Sequence, residues 1–83
     1  MELRDQIRNF IVENFLFGDT SRLTSDDQSL LDTGIIDSVG VMELVSYLEG
    51  DHELQIQDED LMPENLDSIA NLAAFIRRKK AAA

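Results

Sequence analysis

Asp37 and Ser38 have the strongest claim to chemistry in this sequence. They close a long polar stretch and open the most apolar periodic segment of the chain, Val39 to Glu49. A carboxylate beside a hydroxyl at a helix start has two uses. Either side chain can accept a hydrogen bond from the orphan N–H groups of the first turn and act as a cap. Those N–H groups and the helix dipole also favour a phosphate, so a phosphate ester on Ser38 would be electrostatically tolerated there. Hydrolytic catalysis fits poorly. His52 is the only histidine, no G-x-S-x-G elbow surrounds Ser38, and no α/β pattern exists to hold one. Calcium fits no better. The sixth position of an EF-hand loop, where glycine is required, would be Ile56 counting from Asp51 and Pro63 counting from Asp58. The 83 residues include no cysteine, so disulfides and thiolate metal sites are excluded by inventory. We expect no catalytic residues and no metal site.

The elements that must position the pair read as helices. Leu3, Ile7, Phe10, Ile11 and Phe15 recur at spacings of three and four and predict an amphipathic helix over residues 2–16, stopped near Gly18. Residues 17–37 are rich in Gly, Asp, Ser and Thr and form a connection longer than the ~12–15 residues usual in small domains. Leu23, Leu30, Leu31, Ile35 and Ile36 are expected to pin it to the helices. In a second helix over 38–49, Val41, Leu44, Val45 and Leu48 make one buried stripe. Val39, Met42, Glu43 and Ser46 then face away, which leaves two apolar side chains exposed beside Ser38. Gly50 is a natural C′ residue.

An acidic loop over 51–57 is expected to be anchored by Leu54 and Ile56. A short helix falls within 58–66, its continuity limited by Pro63. Asp67 or Ser68 caps a last helix over 69–79, whose stripe is Ile69, Leu72, Ala73 and Ile76 with Phe75 beside it. Arg77 to Lys80 sit where the helix dipole favours cations. Three stripes converging on one core predict an all-α fold. It is a four-helix bundle of three main helices and one short one, with a long loop between helices 1 and 2. A single domain spans residues 1–80; Ala81 to Ala83 add nothing to any pattern and read as a disordered or frayed tail, or a cloning remnant.

Charge narrows the partners. Seven bases against seventeen acids leave a net charge of −10, and residues 26–67 hold thirteen Asp or Glu and no Lys or Arg. Such a middle repels nucleic acid and favours proteins with basic docking patches. No apolar run is long enough to span a membrane, and the N-terminus lacks the features of a signal peptide, so a cytoplasmic monomer is expected.

The run Leu31-Asp32-Thr33-Gly34-Ile35-Ile36-Asp37-Ser38-Val39-Gly40-Val41-Met42-Glu43-Leu44 resembles the carrier-site motif of acyl carrier proteins. That motif is Asp-Ser followed by an apolar residue, with Glu-Leu at the fifth and sixth positions after the serine. The likeness extends in family order over residues 1 to about 80. It implies a four-helix bundle without catalytic activity. A phosphopantetheinyl transferase would esterify Ser38 with 4′-phosphopantetheine from coenzyme A, and the thiol of that arm would carry acyl or aminoacyl groups as thioesters. The resemblance gives Asp37 a supporting role at the attachment point. It makes Val39, Met42, Glu43 and Glu49 partner-docking positions, and it allows a core lined by Leu44, Leu48, Ile56 and Ile76 to shelter a bound chain. The partners implied are acyl- or aminoacyl-adenylating ligases, synthases or transferases in fatty-acid, polyketide or aminoacyl/D-alanyl pathways. Val39 stands where leucine is commonest, Gly40 where fatty-acid carriers usually have Asp, and Gln57 where proline is frequent. These departures shift the likeness toward stand-alone carriers served by adenylating ligases. The alternative is a helical interaction module with no prosthetic group, in which Asp37-Ser38 is only a cap.

Overall fold

The apolar stripe of the first segment folds as α1, Leu3–Phe15, in a computed structural model that describes residues 2–82. Ile7 and Ile11 are fully buried, and Leu3, Phe10 and Phe15 pack partly buried against the core. The chain leaves α1 through two left-handed residues, Phe17 (φ 52°) and Gly18 (φ 89°), and the Gly18 N–H donates to the Val12 carbonyl at 3.0 Å. Gly18 is thus the stop that its spacing predicts, because only glycine adopts that conformation without steric cost.

The main helices are α1, α2 (Ser38–Asp51) and α4 (Ile69–Ala82), with a single turn, α3 (Pro63–Leu66), between the last two. The fold is the all-α four-helix bundle expected from the three stripes. Stacked Phe10 and Tyr47 (centroids 4.0 Å apart) pair the middle of α1 with the later half of α2. The Phe15 ring at the end of α1 lies against Gly40 in the first turn of α2. The two helices therefore run antiparallel, and α4 packs on α1 and α3. Leu44, Leu48, Leu72 and Ile76 are buried in one core, with Ile56 half-buried at its edge.

The long connection is ordered by buried anchors and by polar clamps. Leu23, Leu30, Ile35 and Ile36 enter the core, whereas Leu31 is 38 % exposed and does not pin the loop. Its place is taken by Asp67. That carboxylate accepts from the Ser29 hydroxyl (2.8 and 2.9 Å) and the Leu31 N–H (2.9 Å), while the Asp67 carbonyl accepts from the Leu30 N–H. With Asp67 so engaged, Ser68 caps α4, its Oγ accepting from the Asn71 N–H at 3.0 Å. In the middle of the loop Asp26 accepts from Arg8 (2.6 Å) and Arg4 (3.2 Å) on α1. The Arg8 guanidinium, with Arg4 beside it, holds the Asp26 carboxyl below its ordinary value.

Three boundaries differ from expectation. α2 runs on to Asp51, past Gly50, and the left-handed residue after it is Glu53 (φ 57°). The extension is held by His52, buried against Tyr47, and by the buried Leu54. Pro63 starts α3 rather than interrupting a helix, because at the first helical position its missing N–H is one of the orphans anyway. α4 continues through Ala81 and Ala82, so the helix enters the segment set aside as a tail; Ala83 lies outside the described residues.

His52 is also not in a loose loop. It is 7 % exposed, and its Nε2 and the Tyr47 hydroxyl lie 2.9 Å apart. Burial, with help from Lys80 and against Asp51, pushes its pKa below the ordinary 6.5. The unfolded chain therefore takes up the proton first on acidification. Stability from neutral His52 is complete above 6.5 and falls as pH drops through that value toward the folded pKa. We expect the urea midpoint to decline over that window and the decline to flatten in His52→Gln.

Candidate functional site

The candidate site is the N-terminus of α2. Asp37 is extended (φ −111°, ψ −172°) and its Oδ1 accepts from the Gly40 N–H at 2.8 Å. Its carbonyl takes the first helical bond, from the Val41 N–H at 2.9 Å. The cap, open between two residues on spacing alone, thus belongs to Asp37. Ser38 is the first helical residue and is exposed. The N–H groups of Ser38 and Val39 precede the first turn's carbonyls and are free of helical partners, at the positive end of the dipole. A hydroxyl that is not consumed as the cap, beside unspent donors, fits a phosphate ester.

The four residues expected to dock partners also share one face. Val39 is 69 % exposed and Met42 60 %, while Glu43 and Glu49 are exposed farther along. At 3.6 residues per turn these four, with Ser38 at the edge, span about 140° of the helix. The opposite side holds buried Leu44, Val45 and Leu48; Val41, expected in that stripe, is only half-buried. A groove of about 650 Å³ runs beside this face between α1 and α2, floored by Phe10 and Tyr47 and edged by Glu13, Glu43 and Asp51. The exposed face is therefore apolar next to Ser38 and acidic beyond it.

His52 cannot serve Ser38. The two stand at opposite ends of α2, about 20 Å apart along its axis. Two features carry no signature in the apolar spacing. Gly40 is buried: a Cβ there would meet the Phe15 ring at 2.9 Å and Ile36 at 3.2 Å. The glycine is thus a close-approach position under the Ser38 end of α2, which its place two residues after Ser38 only hints at. Phe17, read as ordinary loop, is 91 % exposed. The signal for it was an aromatic directly before the stop glycine.

Comparison with known proteins agrees with this geometry. The family described as "Phosphopantetheine attachment site" matches residues 5–76. An "Acyl carrier protein" of Brachyspira hyodysenteriae is 31 % identical over 80 residues, covering 96 % of this chain and 99 % of that one. A "Probable acyl carrier protein PigG" of Serratia sp. is 28 % identical over 79 residues, covering 95 % and 90 %. The chain therefore belongs to the acyl carrier protein family, as a non-catalytic carrier whose covalently bound prosthetic group is 4′-phosphopantetheine.

Proposed function

We propose that Ser38 is the attachment residue and that the protein delivers acyl or aminoacyl thioesters to partner enzymes. The observation that carries this reading is the split at the α2 N-terminus: Asp37 makes the cap, and Ser38 is exposed as the first helical residue. The Ser38 oxygen becomes the ester oxygen of the arm and gives up its proton in forming that bond. The arm supplies a thiol, which a chain without cysteine otherwise lacks. The free N–H groups of Ser38 and Val39 face the added phosphate, and Asp37 keeps the first turn wound beneath it.

Val39 and Met42 form the apolar centre of the docking face, and Glu43 and Glu49 its charged margin. Partners of this reading are a phosphopantetheinyl transferase and adenylating ligases, synthases or transferases with basic patches. The carrier acts as a cytoplasmic monomer. Among the pathways open to it, we favour an aminoacyl or D-alanyl route over fatty-acid synthesis, because Gly40 is packed under Phe15 and offers no carboxylate to a partner.

Incubation with coenzyme A and a broad-specificity phosphopantetheinyl transferase tests the attachment. Intact mass should rise by one arm, and no gain on the wild type would remove the proposal. Partner affinity should also fall as salt rises from low to physiological strength, because exposed acids are screened beyond about 8–10 Å there. Affinity that is independent of salt would contradict acidic docking.

A further inference from the structure

We propose that the groove between α1 and α2 holds the aminoacyl end of the arm on Ser38, a site that rests on the attachment reading above. The groove has a volume of about 650 Å³, within the range of small-molecule sites. Its floor is the Phe10–Tyr47 stack, and its rim carries the carboxylates of Glu13, Glu43 and Asp51. Among the described residues no Lys or Arg lines it, and none of the three carboxylates has an ion-pair partner, whereas Asp26 and Asp60 do. Burial, with the charge of Asp51 added, pushes the Tyr47 hydroxyl above its ordinary pKa, so the floor stays neutral. An apolar floor under an uncompensated acidic rim complements a small cation with an aliphatic body.

A metal ion does not meet that description. Among the described residues no three Asp, Glu or His side chains stand close enough together to hold one. An amino acid joined through its carboxyl to the thiol of the arm does meet it. The bond to sulfur removes its carboxylate and leaves its ammonium, so the cargo is a cation with a short apolar side chain. A simple acyl group brings no charge to the rim.

Helix geometry leads the arm to this groove. Val39, Glu43, Tyr47 and Asp51 follow one another at spacings of four, so they form one line down α2 that begins beside Ser38. Glu43 and Tyr47 lie roughly 8 and 14 Å from Ser38 along the axis. The arm is about as long as five extended residues and reaches roughly 17 Å. The tether also selects the occupant. All three acids are exposed, and exposed ion pairs are weak, so a free amine gains little here. A tethered one is held at an effective concentration on the order of millimolar, where weak binding suffices. Glu43 is the one groove residue that also belongs to the docking face. The cargo therefore rests in the groove between encounters and leaves when a basic group of a partner takes that carboxylate.

The test uses a broad-specificity phosphopantetheinyl transferase and two coenzyme A analogues that hold their cargo through a stable amide. One ends in an alanyl group with its free ammonium, the other in a propionyl group, its uncharged counterpart. In proton–nitrogen correlation spectra the two loaded wild-type forms should differ at Glu13, Glu43, Tyr47 and Asp51. The difference should vanish at about 1 M salt, where charges are screened beyond about 3 Å. With Glu13→Gln, Glu43→Gln and Asp51→Asn combined, it should fall about threefold while the melting temperature stays unchanged or rises, because only exposed like charges are removed. Identical wild-type spectra at these residues, or a difference that survives salt or the triple variant, overturn the groove and leave the attachment reading intact. A wild type that takes no arm, from the analogues or from coenzyme A, overturns both.

Discussion

Ser38→Ala should abolish arm attachment and leave the fold standing. The ester oxygen is lost, and no neighbouring hydroxyl can take over, since Val39 to Leu44 contain none. The helix start survives because its cap lies one residue earlier, in the 2.8 Å bond from the Gly40 N–H to Asp37 Oδ1. Alanine is also the better helix former at an exposed position, so stability should stay within about 0.5 kcal/mol of wild type. Asp37→Ala should behave the opposite way in a thermal melt. Loss of the cap costs about 1 kcal/mol, which lowers the melting temperature by roughly 4–8 °C in a domain of this size. Had Ser38 served only as a cap, the two variants would exchange their effects on stability.

Leu44→Ala should be the most damaging single change to the fold near the site. Leu44 is fully buried, and its truncation in a closed core costs about 2–5 kcal/mol through lost transfer energy and the cavity left behind. Small domains hold only about 0.05–0.15 kcal/mol per residue, so this is a large share of the total. Two residues earlier, Met42 is 60 % exposed and lines nothing inside. Met42→Ala should therefore leave the urea midpoint almost unchanged, within about 0.5 kcal/mol. Its effect belongs to partner association, which should weaken. Urea unfolding of both variants, paired with attachment rates, checks that α2 divides its labour between a face that holds the bundle and a face that partners read. A stable Leu44→Ala would contradict the core assignment.

What was legible in the sequence was whatever repeats at helical spacing. Ile7 and Ile11, Leu44 and Leu48, and Leu72 and Ile76 were visible as stripes because burial on one side of a helix imposes that period. The exposure of Val39 and Met42 followed from the stripe they leave. What stayed hidden depends on residues distant in the chain. Asp67 has the look of a helix cap, yet its carboxylate is taken by Ser29 and Leu31, and the cap passes to Ser68. Gly40 has the look of a weak point in a helix, and only the Phe15 ring packed on it explains the missing side chain. His52 seemed a loop residue because Tyr47, its partner one turn and a half earlier, carries no mark of the pairing. The ambiguity at Asp37-Ser38 was real at the level of sequence, because either side chain has the oxygen and the position to cap. Backbone geometry resolved it: the extended residue is Asp37, and a cap must be extended.

The most direct test of the account is to locate the arm on the protein recovered from its native cell, by intact mass followed by fragmentation of the modified peptide. We predict one phosphopantetheine-sized addition, with or without its acyl cargo, on the Ser38 side chain. An addition on any other residue, or a native protein that carries none and accepts none from coenzyme A, would contradict it.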